Sequence, residues 1–298
     1  MRIFVTGASG FVGKAVVKEL IDAGHQVIGL ARSTEAATVV MSLGAEVHIG
    51  TIDQPESLWH VAASADAVIH TAFNHDFSRF KENCENDRRV IEVLADALSE
   101  TTRPLVVTSA LGILPRGQLV TEQTLPQTGS LAHPRAASEE AADAAAKRGV
   151  HTSVIRLPPS VHGEGDHAFV PMLIHIARQK GLSVYAGAGQ NNWPAVHLLD
   201  AARLFRLVVE KGCMGARYHA VAEAGIPFVK IAEVIGRKLD LPVISKSAEE
   251  AAEHFGWFAH FAAMDILASS ENTQEHLGWR PTQIGLIADI EGPSYSDT

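Results

Sequence analysis

The 298-residue chain is poor in sulfur and in phenol. It has two cysteines, Cys84 and Cys213, and three tyrosines, none of them between Met1 and Gly181. Two thiols exclude a disulfide scaffold and suit a reducing compartment. Basic side chains are outnumbered, 25 Lys and Arg against 34 Asp and Glu. The resulting net charge of −9 argues against a nucleic-acid or anionic-membrane surface, since either would draw on a basic excess. Long apolar runs are missing as well. The longest stretch free of Asp, Glu, Lys and Arg, from Gly181 to Leu199, contains Gln190, Asn191, Asn192, Pro194 and three glycines, so it does not make a spanning helix. The N-terminus turns at Gly7 after a short apolar run, with no secretory cleavage site, and the expected location is the cytoplasm. Histidines are plentiful, but spacings such as His70/His75 and His162/His167 match no metal-ligand pattern, and no metal is expected.

What is present is a regular alternation of short apolar strands and amphipathic helices. Strands are expected at Ile3–Val5, Gln26–Leu30, Glu46–Ile49, Ala67–His70, Leu105–Thr108 and Thr152–Leu157. Helices fall between them, including Phe11–Ala23, a long Phe77–Ser99 and an Ala-rich Ala136–Arg148. This spacing predicts an α/β fold, a doubly wound parallel sheet with ligands outside the carboxyl ends of its strands. After Leu157 the pattern loosens at Pro158-Pro159 and a series of glycines. The expected division is a nucleotide-binding domain over 1–157 and a small lobe over 158–298, interleaved with the end of the first domain.

Thr6-Gly7-Ala8-Ser9-Gly10-Phe11-Val12-Gly13 follows the first strand and opens the first helix. Gly7 permits a tight turn, Gly10 a close approach of backbone to a pyrophosphate, and Gly13 close packing of helix and sheet. The helix N-terminus offers free N–H groups and partial positive charge to the phosphates. Dinucleotide binding is therefore expected here. At the end of the second strand, where an acidic residue would hold the ribose 2′-OH of NAD, the chain has Ala31, then Arg32 and Ser33. A guanidinium beside a small hydroxyl suits a 2′-phosphate, which predicts NADP(H).

These residues resemble the short-chain dehydrogenase/reductase superfamily, in its extended or atypical, NAD-dependent epimerase/dehydratase-like branch. The resemblance spans nearly the whole chain. It includes Val68-Ile69-His70-Thr71-Ala72, Val107-Thr108-Ser109-Ala110, Ile155-Arg156-Leu157-Pro158-Pro159-Ser160-Val161-His162-Gly163, Val196-His197-Leu198-Leu199-Asp200-Ala201-Ala202 and Leu277-Gly278-Trp279-Arg280-Pro281-Thr282. It implies a Rossmann-type domain with a small C-terminal substrate lobe. It also implies cofactor contacts from the glycine loop together with Thr71, Ala72 and Pro158, a substrate-oxygen contact from Ser109, and a homodimer formed through Phe77–Ser99 and Ala136–Arg148. The chain departs from the family where a Tyr-x-x-x-Lys pair is usual, since Arg135-Ala136-Ala137-Ser138-Glu139 aligns there. The candidate catalytic group is thus Ser109, Arg135, Glu139 and His162, with Arg135 an electrophile because a guanidinium hardly gives up its proton. Candidate substrate contacts are His75, Phe169 and Trp193. The expected activity is NADPH-dependent oxidoreduction of a small, rather apolar carbonyl or alcohol. A non-catalytic NADP(H)-binding module and a sugar-nucleotide epimerase or dehydratase remain as alternatives.

Overall fold

The computed structural model describes residues 1–296. Its first half runs β1 (Arg2–Thr6), α1 (Phe11–Asp22), β2 (Gln26–Ala31), α2 (Thr34–Ser42), β3 (Glu46–Ile49), α3 (Trp59–Ser64), β4 (Ala67–His70), α4 (Phe80–Ala97), β5 (Leu105–Ala110), β6 (Leu119–Val120), α5 (Ala137–Lys147) and β7 (Thr152–Leu157). There follow β8 (Ser160–His162), α6 (Phe169–Lys180), β9 (Ser183–Ala186), β10 (Asn192–His197), α7 (Leu198–Lys211), β11 (Arg217–His219), β12 (Glu223–Pro227) and α8 (Phe228–Leu239). The chain ends in β13 (Val243–Lys246), α9 (Ala248–Phe255), α10 (Ala259–Ala262), β14 (Leu267–Ala268), α11 (Glu271–Leu277) and α12 (Leu286–Glu291).

Seven strands form one parallel sheet in the order β11-β7-β5-β4-β1-β2-β3. The central strands are apolar on both sides because both sides are covered. In β1, Ile3 and Val5 pack with Val16, Leu20 and Phe205 of α1 and α7, while Phe4 packs with Val61, Ile91 and Ala142 of α3, α4 and α5. The strand order reverses between β1 and β4, which opens a crevice above their carboxyl ends. The loops leaving these two strands meet there. Gly7 has φ +69°, and a Cβ on it would lie 2.8 Å from the Ala72 nitrogen.

A second core, around Trp193, Phe228 and Phe258, belongs to the smaller lobe, built from α6, α8, α9 and the three-stranded sheet β12-β10-β8. The chain returns from this lobe to the large sheet at β11, so the two units are interleaved.

Two local features differ from the sequence expectation. The helix expected over Phe77–Ser99 is split. Asp76 accepts the Ser78 N–H at 3.0 Å and caps a separate turn, Phe77–Arg79, before α4 begins at Phe80. β10 contains Pro194, where no strand was expected. The register shifts between Trp193 and Ala195, and this irregularity accommodates a residue without an N–H. α4 and α5 are tied to each other by ion pairs, Arg88–Glu140 at 2.5 Å and Arg148–Asp96 at 3.1 Å.

Candidate active site

A single cavity of about 1000 Å³ runs from the glycine loop, over the carboxyl ends of β1, β4 and β5, into the small lobe. Its size is at the upper end of the range for one drug-sized ligand.

The first end is built by the β1–α1 turn. Gly7, Ser9, Gly10, Phe11, Val12 and Gly13 all line the cavity. The first turn of α1 carries no acidic residue, and Gly10 offers no side-chain cap. The helix therefore leaves its initial N–H groups to an outside acceptor, as an anion site requires. Gly13 has no room for a side chain, because its Cβ would stand 1.9 Å from the Gly7 carbonyl oxygen. Arg32 lies at the cavity edge beside Gly50, Thr51, Ile52 and Asp53. It is exposed and has no ion pair or hydrogen bond among the described residues. The residues at this end thus fit a dinucleotide, with amides for a pyrophosphate and an unengaged guanidinium for a ribose phosphate. Ser33 is the exception. It caps α2 by accepting the Ala36 N–H at 3.2 Å and does not line the cavity.

The middle is built on β4, β5 and the turn before α5. Thr71, Ala72, Ser109, Arg135, Leu157 and Pro158 line it. Arg135 is nearly buried, and its Nη1 donates to Asp87 Oδ2 at 2.7 Å and its Nη2 to the Thr108 carbonyl at 3.1 Å. Its Cζ lies 4.2 Å from the centroid of Phe73, a cation–π contact. Asp87 is 1% exposed and also accepts from Ser138 Oγ at 2.5 Å and from His70 Nε2 at 2.9 Å. His70 Nδ1 faces Thr6 Oγ1 at 2.7 Å, and that oxygen accepts the Ala72 N–H at 3.2 Å. Burial alone would raise the Asp87 carboxyl, but the Arg135 charge and then His70 and Ser138 hold it below the usual carboxylate range.

Of the four candidate catalytic side chains, the structure brings Ser109 and Arg135 into the cavity and leaves out Glu139 and His162. Glu139 lies in the interior, where Arg156 clamps it with two bonds of 2.8 and 2.7 Å and Arg217 adds a third at 3.1 Å. Burial opposes the Glu139 charge, but Arg156 outweighs it and the pKa falls. The Ser109 hydroxyl is close enough to assist, yet it forms no well-shaped hydrogen bond and is otherwise unpartnered. His162 is 1% exposed and bonds Asp289 through Nδ1 at 2.7 Å, on the far side of β8 from Val161, which does line the cavity. Trp193 is fully buried core and not a substrate contact. His75 and Phe169 line the cavity.

The ion cluster behind Ser109 has a measurable consequence. His219 accepts from Arg156 Nη1 at 3.2 Å and faces the Ser269 carbonyl through Nδ1 at 2.7 Å, so it is held neutral. Burial and then the Arg156 charge push its pKa down to about 4. The unfolded chain binds this proton near pH 6.5, so His219 stabilises fully above that pH and the contribution is lost as pH falls toward 4. His219 should account for roughly 3 kcal/mol of the stability that urea unfolding loses across this window, and His219→Gln should lose correspondingly less. Identical pH slopes for the two proteins would refute the assignment.

The far end was not legible in the sequence. It is lined by Phe77 and Phe80, by Trp257, His260, Phe261 and Met264 from the small lobe, and by His133, whereas His167 lines the cavity against Phe11 of the glycine loop, 5.7 Å between ring centroids. His133 precedes the α5 turn, and its Nδ1 accepts the Arg135 N–H at 3.2 Å. That bond leaves Nε2 as the protonated nitrogen, so the neutral ring is a donor. Burial, then His260, Arg116 and Arg135, lower the His133 pKa. The cleft walls and Arg135 do the same to His75, although solvent reaches its ring. The one signal available in the sequence was the His-Pro pair at a helix start.

The chain matches the NAD dependent epimerase/dehydratase family over residues 3–221. It is 50% identical over 297 residues to an uncharacterized protein of Schizosaccharomyces pombe, covering 99% of this chain and all of that one. It is 29% identical over 273 residues to a 4-hydroxy-2-methyl-3-oxo-4-farnesyl-3,4-dihydroquinoline-1-oxide ketoreductase of Stigmatella aurantiaca, covering 86% and 80% of the two chains. A UDP-glucuronic acid 4-epimerase from Bacillus cereus, solved in complex with NAD, superposes with a TM-score of 0.78 at 17% identity, over 99% of this chain and 96% of that one. This last likeness is one of fold.

Proposed function

The chain belongs to the NAD dependent epimerase/dehydratase family, whose members bind a nicotinamide dinucleotide, and on that premise we propose that it is an NADPH-dependent reductase of small, uncharged carbonyl compounds. The observation that carries this reading is the continuity of one cavity from the glycine loop to an aromatic end. The cofactor would be held by the α1 amides, by Thr71 and Ala72, and by Arg32 on a 2′-phosphate. When bound, the reduced nicotinamide supplies a hydride to the carbonyl carbon. The oxygen takes up a proton, and the products are the alcohol and the oxidised cofactor.

Arg135 stabilises the negative charge that develops on the oxygen, in a setting where Asp87 fixes its direction. It acts as an electrophile, since a guanidinium does not release its proton. His133 adds a hydrogen bond through Nε2–H, and the proton is drawn from solvent, which reaches His75.

Arg32→Ala should weaken NADPH by about tenfold or more, the worth of a charge-assisted contact, and NADH by less than about twofold. Equal weakening of both refutes the 2′-phosphate assignment, as measured by fluorescence titration. Turnover is tested by NADPH oxidation across a panel of aldehydes and ketones. Cofactor binding without oxidation of any panel member would favour a second reading, a nucleotide-binding module without turnover. One observation supports that alternative: none of the residues lining the cavity is Tyr or Lys.

A further inference from the structure

The far end of the cavity has a chemistry of its own. Phe77 stands at its centre, 5.7 Å from Phe80, 6.2 Å from Trp257 and 5.3 Å from Phe261 between ring centroids. Its plane is tilted by only 31° from Phe80 and 35° from Trp257. Phe258 and Phe261 are tilted likewise, by 35°, whereas Phe169 stands edge to face to Phe258 at 84°. Two of the rings at the cavity end are also uncovered, since Phe77 is 41% and Trp257 61% exposed. They come from opposite units of the protein, one from the turn after β4 and one from the small lobe.

Of the charged side chains that line the cavity, only Arg135 lies beside this end. Asp87 pairs with the Arg135 guanidinium, burial and then Arg135 lower the pKa of His75, and burial and then His260 and Arg116 lower that of His133. The nearest other cation is Arg116, 3.5 Å from His260, and it does not line the cavity. An uncharged flat ring would find faces to stack on, and His133, 5.7 Å from Phe80, offers a donor to a polar atom on its edge. Large rings left exposed inside a cleft mark a ligand surface and not a packing defect.

We propose that the cavity end formed by Phe77, Phe80, Trp257 and Phe261 is a binding site for an uncharged planar aromatic ring that carries its carbonyl at the edge, an aryl ketone or a quinone. This identifies the substrate class of the reductase reading and rests on it for the chemistry, though not for the binding.

The test is calorimetric titration of the whole protein, with and without NADP⁺, using 2-acetylnaphthalene and the aliphatic 2-undecanone. The aryl ketone should bind at least tenfold more tightly. Trp257→Leu, which keeps apolar bulk and removes the ring, and Phe77→Ala should each erase most of that preference. Both should leave NADP⁺ affinity within threefold. Equal affinity for the two ketones, or a preference that survives both substitutions, overturns the proposal. Ring-selective binding without NADPH oxidation would sink the reductase reading and leave this site standing. Reduction of ketones without ring selectivity would do the reverse.

Discussion

Gly13→Ala should abolish useful cofactor binding and lower the melting temperature together. The added Cβ would lie 1.9 Å from the Gly7 oxygen and 2.7 Å from the Gly7 carbonyl carbon. Both atoms are backbone, so no side-chain rotation relieves the contact. Either α1 lifts from the loop or the loop moves, and Gly7 is itself fixed against Thr71 and Ala72. Forced overpacking of this kind costs about 3 kcal/mol. That corresponds to a melting point lower by roughly 6–12 °C in a protein of this size. If the displaced loop loses the same energy from binding, the dinucleotide dissociation constant rises about 100-fold. Gly10→Ala is the control, because its Cβ meets the same oxygen at 3.2 Å and needs only a small adjustment. It should lose far less stability. A Gly13→Ala protein with unchanged melting and unchanged cofactor affinity would contradict the geometry.

Asp87→Ala should be the most destabilising of the polar substitutions. The carboxylate accepts from Arg135, Ser138 and His70, all three buried. Removing it strands a guanidinium in the interior and leaves two donors unsatisfied, at a cost of about 3–5 kcal/mol. The double substitution Asp87→Leu with Arg135→Met removes both charges, and most of the loss should be recovered. Denaturant midpoints of the three proteins decide the matter. A double variant no more stable than Asp87→Ala would show that the charge pair was not the source. The acid side has a definite sign. The folded carboxyl lies below its unfolded value, so its stabilisation is present above about pH 4 and is lost as pH falls through the lower folded value.

The nucleotide end of the site was legible because its chemistry is local. A strand, a turn and a helix N-terminus sit in consecutive residues, and every residue from Gly7 to Gly13 except the buried Ala8 lines the cavity. That Arg32 lines the cavity was readable for the same reason, since its place is set by the end of β2. Glu139 and His162 were misread because sequence position gives the element but not the partner across the fold. Arg156 meets Glu139 from β7, and Asp289 meets His162 from α12. Trp193 was misread because an aromatic near a loop resembles a pocket wall until the bulge at Pro194 shows that it lies in a buried strand. The aromatic end was invisible because Phe77 and Trp257 are brought together only by the docking of the two units. No periodicity in either segment records that meeting.

The position of β11 has a further consequence, for how the chain reaches its final state. β7 ends at Leu157 and its sheet neighbour β11 starts at Arg217, with the lobe's first strands and α6 between them. On the ribosome, therefore, β7 is an unpaired edge until the intervening segment has emerged. During that interval Arg156 and Glu139 lack Arg217 and His219. Edges exposed in this way invite wrong pairing, and parallel strands separated by long connections close slowly. The lobe that shapes the ligand end thus also sets when the nucleotide sheet can finish folding, and a chain stopped near Leu157 would carry an open edge with a half-made ion cluster beside it.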